Sequence, residues 1–243
     1  MIKTAGIILL FALTLGNGVY FTSQQKAMGH VKNSSYDSLK TSIASLRNQI
    51  KKKYSIANDS IKNLILAQSK SIIEVSLLNQ IIPTWYGTPW DFEGYTATPQ
   101  KGKIACGYFV STTLLHAGFK LNRYTLAQKN PFMEAKSYNF GSPVITYENL
   151  NKTAVIDSIM QNKFADGLYF VGLDFHVGYL WKTSGELFFI HSNYIEKAGV
   201  MREKALESEA FGGYSFYLVP LTPNPKMVEA WILHKEIKTL PSP

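Results

Sequence analysis

One cysteine and two histidines in β-like sequence are the residues here whose types and spacing can do chemistry. Cys106 is the only cysteine among 243 residues, in Lys103-Ile104-Ala105-Cys106-Gly107-Tyr108-Phe109-Val110 at the start of an amphipathic pattern. His176 lies in Phe175-His176-Val177-Gly178-Tyr179 and His191 in Phe189-Ile190-His191-Ser192-Asn193. A lone Cys with separated histidines is the pattern of a nucleophile whose partners meet only in the fold. At the first turn of a helix, free N–H groups and the helix dipole favour the thiolate and would lower a thiol pKa from about 8.5. A neighbouring imidazole would lower it further and accept the proton. The same N–H groups would receive a carbonyl oxygen as it becomes negative.

A hairpin of residues 176–181 and 187–191 with Thr183-Ser184 at its tip sets Leu180 opposite Leu187, Gly178 opposite Phe189 and His176 opposite His191. Directly opposed residues have Cβ atoms roughly 4.5–5.5 Å apart, near enough for one imidazole to hydrogen-bond and orient the other. A three-residue turn using Gly185 would slip this register. Asn193 shares the strand face of His191 and is the substitute orienter. The plain alternatives are a Cys that is only a small buried hydrophobe and histidines that are satisfied core residues. A Cys/His/His set without a nearby carboxylate is a poor structural zinc site, so neither a metal nor a cofactor is expected.

The elements that must position these residues follow from pattern. Apolar Phe109, Val110, Leu114 and Ala117 repeat at helical spacing after Cys106, and Gly118 is placed to end that helix. Residues 167–172, 176–181, 187–191 and 214–221 read as strands, and Thr153 to Asn162 as a short helix. Residues 119–150 look irregular. Upstream, Thr84-Trp85-Tyr86-Gly87-Thr88-Pro89-Trp90-Asp91-Phe92-Glu93-Gly94 is an aromatic loop of the kind that lines ligand clefts.

Residues 34–82 form a helical segment: Leu39, Ile43, Leu46 and Ile50 make one stripe, and Ile61, Leu64, Ile65, Ile72, Val75 and Leu78 continue it after Asn58-Asp59-Ser60, a cap signal. It reads as a helical hairpin packed on the domain, with a coiled-coil partner surface as the alternative. The tail 223–243 is punctuated by Pro and holds a short helical pattern at Met227–His234. Residues 1–22 begin Met1-Ile2-Lys3 and carry an eleven-residue apolar run, Ala5 to Leu15. That length suits a signal peptide, about 7–15 residues, better than a span of about 20. Export is expected, with an uncleaved membrane anchor as the alternative. An unpaired thiol is a liability outside the cell, which tips Cys106 toward chemistry.

Composition sets the outer bounds. Hydrophobic content of 46% and aromatic content of 13% support a real core. A net charge of +8 favours an anionic partner such as cell wall or an acidic membrane surface. No basic run exceeds Lys51-Lys52-Lys53 and no basic-aromatic motif accompanies it, so nucleic acid is not the expected partner. One cysteine forbids an intramolecular disulfide.

The order of these segments resembles the NlpC-type cysteine peptidases, papain-like enzymes of bacterial cell-wall remodelling. Thr88-Pro89-Trp90-Asp91-Phe92-Glu93-Gly94 looks like the family's aromatic-Gly loop, Cys106-Gly107-Tyr108-Phe109-Val110 its nucleophile helix and His176-Val177-Gly178-Tyr179 its histidine strand. Phe189-Ile190-His191 looks like the strand bearing the third member, and the likeness covers about residues 84–195. The resemblance implies an α+β fold with a papain-like core over residues 83–222, a nucleophile helix packed on an antiparallel sheet. It implies Cys106 as nucleophile, His176 as general base and His191 as its orienter. Trp90 stands where the family has an oxyanion-binding Tyr; its indole N–H can donate instead. Trp90 and Asn193 are thus the candidate oxyanion or substrate-binding residues. The family commonly reads Asp-Cys-Ser-Gly where this chain reads Ala105-Cys106-Gly107-Tyr108, and residues 130–165 look like an insertion. The implied substrate is an amide bond in a peptidoglycan stem peptide or another peptide. A non-catalytic interaction protein working through the helical arm and an acyltransferase on the same fold stand as alternatives.

Overall fold

The computed structural model describes residues 36–161 and 164–241. The apolar run at 5–15, and with it the expected signal peptide or anchor, lies outside the described residues. Asp37–Pro243 make one compact unit, so the helical segment and the tail belong with the residues between them.

Two helices, α1 (Tyr36–Ile56) and α2 (Asp59–Glu74), open this unit, the second capped by Asn58, whose side chain accepts from the Ile61 N–H at 3.0 Å. The expected stripe is rotated slightly. On α1, Ile43, Arg47 and Tyr54 are buried while Leu46 is 40% exposed. Arg47 takes the inward place because its stem packs as a hydrophobe while its guanidinium donates to the Gly118 carbonyl at 2.7 Å. On α2 the buried residues are Ser69 and Ile73, one position from the predicted row. Helical backbone continues without a break through a π-helical stretch, Val75–Ile81, into the short α3 (Ile82–Trp85), where Leu77, Ile81, Ile82 and Trp85 are fully buried. The tail is no appendage. Helix α8 (Pro225–Leu233) buries Trp231, whose indole N–H donates to the Ala117 carbonyl at 2.8 Å, and its Glu229 accepts from the Tyr54 hydroxyl at 2.9 Å.

After an irregular aromatic loop comes α4 (Cys106–His116), then β1 (Lys120–Leu121), α5 (Arg123–Ala127), α6 (Pro131–Tyr138), β2 (Ile145–Glu148) and α7 (Lys152–Gln161). The sequence reads 119–150 as irregular; its two helices are short and start at the side-chain caps Asn122 and Asn130, too brief to show a period. The remaining strands are β3 (Gly167–Gly172), β4 (Val177–Lys182), β5 (Leu187–Asn193), β6 (Gly199–Lys204), β7 (Ser215–Pro220) and β8 (Glu236–Ile237). Six of them form one antiparallel sheet in the order β2-β7-β3-β4-β5-β6, while β1 and β8 pair separately in parallel. The fold is therefore α+β.

Strand alternation gives the sheet two faces. One carries Tyr169, Val171, Leu180, Phe189, Phe216 and Leu218 and packs with Val155 and Ile159 of α7. The other carries Tyr179, whose ring lies 5.9 Å from Phe109 of α4 and whose hydroxyl is 2.7 Å from Thr113 Oγ1. Among the described residues no helix is long and apolar enough to cross a membrane.

Candidate functional site

Cys106 is the first residue of α4, preceded by Ala105 in extended conformation. Three hydrogen bonds hold the approach: Ile104 N–H to the Pro89 carbonyl (2.9 Å), Ala105 N–H to the Gly94 carbonyl (2.8 Å), and the Ser192 hydroxyl of β5 to the Ile104 carbonyl (2.7 Å). The helix start is thereby fixed against both the aromatic loop and the sheet. The backbone N–H of Val177, the first residue of β4, lies near enough to the thiol to favour its ionised form.

His176 is the residue before that amide. It closes the β3–β4 turn, its carbonyl accepting from the Leu173 N–H at 2.7 Å. Its ring is buried, edge-on to Phe189 and to Tyr194 at 5.7 and 5.0 Å. Nε2 of His176 lies 2.8 Å from Nδ1 of His191, and Nε2 of His191 lies 2.9 Å from Oε1 of Glu203 on β6. The same Glu203 oxygen accepts from the Ser208 hydroxyl at 2.6 Å. His176, His191 and Glu203 therefore form a hydrogen-bonded chain on the sheet face away from α4, and among the described residues no hydrogen bond joins it to Cys106.

The imidazole contact is the expected one, reached by a different register. The pairs are Tyr179–Ile190, Leu180–Phe189, Trp181–Phe188 and Lys182–Leu187, which corrects Leu180–Leu187 and moves the partner strand by two residues. The turn is closed by Thr183 N–H to the Glu186 carbonyl at 2.9 Å, with Ser184-Gly185 at its tip rather than Thr183-Ser184. A two-residue shift keeps every side chain on its face, so the histidines meet diagonally. Gly178 makes the meeting possible: a Cβ there would lie 2.6 Å from Phe189 Cε2 and 3.0 Å from His191 Cβ.

Burial dominates the electrostatics. It pushes the Cys106 thiol up to about 11, against the downward pull of the Val177 N–H; nearby Glu134 adds to the rise. The thiol is thus neutral at rest, where the helix-start argument expected a lowered value: desolvation outweighs one helix end. Burial also holds His176 well below the ordinary imidazole range. His191 is lowered by burial too, opposed by its bond to Glu203 and that carboxylate's charge. Glu203 is lowered chiefly by its hydrogen bond with His191, with further help from Ser208 and the charge of Lys152.

Trp90 follows the Pro89 carbonyl that anchors Ile104, and its ring is 6.3 Å from that of Tyr194, the neighbour of His176. Its indole Nε1 is buried with no hydrogen-bond partner among the described residues. Asn193 is engaged elsewhere: its amide donates to Met201 Sδ at 3.2 Å and its oxygen accepts from the Ile195 N–H at 2.9 Å. These bonds stabilise the turn after β5, and neither reaches His176 or His191.

Glu203 is the residue the sequence reading missed, and with it the premise that no carboxylate lies near the histidines is corrected. Its strand, Gly199-Val200-Met201-Arg202-Glu203-Lys204, ends in charges and carries no apolar run long enough to mark a strand. In the structure half-buried Met201 and Glu203 alternate with exposed Arg202 and Lys204, a pattern that the residue types do not show. The ring nitrogens are joined head to tail, not pointed at a common centre, so the geometry offers proton handling in preference to metal ligation. An open groove of about 610 Å³ bordered by Phe132, Lys136, Phe140 and Lys238 contains none of these residues. No family model, no curated protein and no solved structure matches this chain.

Proposed function

We propose that the protein is an exported cysteine hydrolase of NlpC-like, papain-like architecture that cleaves an amide bond, with peptidoglycan stem peptides as the substrate class. The observation that carries this reading is a lone thiol at a helix start beside the first residue of β4, whose preceding residue begins a buried His176–His191–Glu203 chain. A helix presenting its first residue against an antiparallel sheet supports the papain-like comparison. The residue pattern of the aromatic loop, nucleophile helix and histidine strand supports the choice of substrate. Export rests on the N-terminal apolar run, and the net charge of +8 suits an anionic wall.

In this mechanism the Cys106 sulfur attacks the amide carbon as its proton passes to the imidazole side. The carbonyl oxygen becomes an oxyanion, facing the free N–H groups of the helix start and the unpartnered Trp90 indole N–H. Collapse expels the amine, which takes the proton, and water releases the acyl group from sulfur. Cys106→Ala abolishes hydrolysis of purified cell wall and of peptide panels; retained activity would overturn the reading. Mass spectrometry of the products identifies the bond.

A second reading, an interaction protein working through its helical arm, is favoured by one observation. Ile61, Leu64 and Val75 share a helix face and are 45%, 59% and 42% exposed. Replacing them by Ser leaves hydrolysis intact if the enzyme reading holds.

A further inference from the structure

The six-stranded sheet ends on one side at β2, a strand paired only with β7. The hydrogen bonds around β7 fix which way the β2 backbone faces. Leu221 N–H donates to the Leu168 carbonyl, so odd-numbered residues of β7 turn their N–H and C=O to β3 and even-numbered ones to β2. Asn149 N–H donates to the Tyr214 carbonyl in the β2–β7 register, which agrees. On β2, Ile145 and Tyr147 therefore bond to Leu218 and Phe216, while Thr146 and Glu148 turn their N–H and C=O outward. Thr146 and Glu148 are exposed, and among the described residues nothing is hydrogen-bonded to these outward groups.

This open edge borders the groove of about 610 Å³. Helix α6 is its floor: the Phe132 ring lies 5.1 Å from that of Tyr217, the β7 partner of Thr146, and the Ser137 hydroxyl accepts from the Leu240 N–H at 3.3 Å. Thr146 lines one wall, and Glu236, Lys238 and Leu240, alternate residues running out of β8, line the other. The groove continues past Phe132 and Thr146 to Glu148. Its charges are separated along that length. Lys136 and Lys238 stand at the Val144 end, and among the described residues neither forms an ion pair; Lys136 Nζ sits over the Phe132 ring at 4.3 Å. Glu236 at the same end is already paired with Lys120 at 3.7 Å. The far end carries the carboxylate of Glu148, which has no ion pair among the described residues.

We propose that this edge is a docking site for an extended peptide that adds to the sheet antiparallel to β2, with its carboxylate end at Lys136 and Lys238 and its amino end at Glu148. The outward N–H and C=O groups of Thr146 and Glu148, two residues apart on one strand, match the repeat of another extended backbone. Antiparallel pairing is the more stable per residue, and it runs the peptide's C-terminal residues to the Val144 end of β2. Two ammonium groups beside the Phe132 ring attract an acidic residue or a C-terminal carboxylate there, and Glu148 repels one at the opposite end. Backbone pairing supplies affinity; the charge separation supplies direction. The site lies apart from Cys106 and holds whether or not that thiol is a nucleophile.

The probe is the synthetic peptide Lys-Thr-Val-Thr-Val-Glu with free termini, titrated into the full chain carrying Cys106→Ala so that no cleavage intervenes. Amide NMR shifts at Thr146 and Glu148 should move and saturate. Lys136→Gln together with Lys238→Gln weakens binding roughly fivefold to tenfold. The exchanged peptide Glu-Thr-Val-Thr-Val-Lys, amidated at its C terminus, binds more weakly by at least that factor. Thr146→Pro deletes an outward N–H and leaves the ladder to β7 intact, a place where an edge strand tolerates proline, and it abolishes the shift at Glu148. Methylating the backbone nitrogens of the probe's four central residues abolishes binding as well. No saturable shift at either amide overturns the proposal. Equal binding of the methylated probe overturns it too, because side chains alone then hold the peptide. Equal binding of the exchanged peptide overturns the assigned direction and the role of the lysines. If the two amides shift with protein concentration alone, a second copy of the chain covers the edge and the peptide site is overturned. Should Thr146→Pro not fold, by circular dichroism, the methylated probe decides.

Discussion

Cys106 carries its proton at rest because burial has lifted it to about 11, and this changes what thiol reactivity measures. Ionisation into solvent would leave about one thiolate in ten thousand at pH 7, from that value alone. On the proposed mechanism, labelling at neutral pH reports proton transfer to an imidazole. In His176→Ala, iodoacetamide labelling should be negligible at pH 7 and rise only as pH approaches 11. Mass spectrometry of the labelled peptide across pH checks it; an unshifted profile would remove His176 from the mechanism. Trp90→Phe keeps an aromatic ring and deletes a buried N–H that has no partner among the described residues. It should lower kcat by about 100-fold with little change in KM, the behaviour of a donor engaged only in the transition state.

At the scale of elements, the β4–β5 hairpin and the added strand β6 decide whether the chemistry is possible. Gly178 faces the crowded stretch of β5, where a Cβ would meet Phe189, the Ile190 carbonyl and His191 within 3.0 Å. Gly178→Ala should cost about 1–3 kcal/mol, read from the urea midpoint, and slow Cys106 labelling by displacing His191. A fully active, equally stable variant would show that the strands can give way. Neighbouring Gly199 opens β6 at φ +83°, and a Cβ there would lie 2.3 Å from the Thr88 carbonyl oxygen. The strand that delivers Glu203 is thus locked to the loop that delivers Trp90: Val200 N–H donates to the Thr88 carbonyl and Gly87 N–H to the Val200 carbonyl, both at 2.9 Å.

For the whole molecule, the helical hairpin and the tail close the core behind α4. Trp231→Ala empties a fully buried site and orphans the Ala117 carbonyl, at a cost of about 3–5 kcal/mol. Urea unfolding measures it. Glu134 on α6 supplies a pH signature. It is fully buried, its carboxyl accepts from the Tyr138 hydroxyl at 3.1 Å, and burial raises it well above the ordinary 4.5. A group raised in the folded state contributes its stability fully below the unfolded value and loses it as pH rises through the folded one. Glu134→Gln, which has no proton to lose, should therefore gain in Tm relative to the unsubstituted protein from pH 4 to pH 8. An advantage constant with pH would contradict a protonated Glu134.

The sequence by itself determined what local periodicity can carry. Cys106 begins a helix because apolar spacing starts there and Gly118, at φ +91°, stops it. Strands at 167–172 and 187–191 follow from apolar, β-branched and aromatic runs, and the period of two puts His176 and His191 on one face in the expected register and in any shifted from it by two residues. Tertiary structure decided the rest. The turn Thr183–Glu186 set the register. An edge strand rich in charge brought Glu203 to His191, a pairing between residues twelve apart whose meaning depends on what β5 presents. Burial by distant segments reversed the expected shift at Cys106. Pattern in a chain records which way a side chain points; how much water surrounds it, and which charge it meets, are properties of the packed whole.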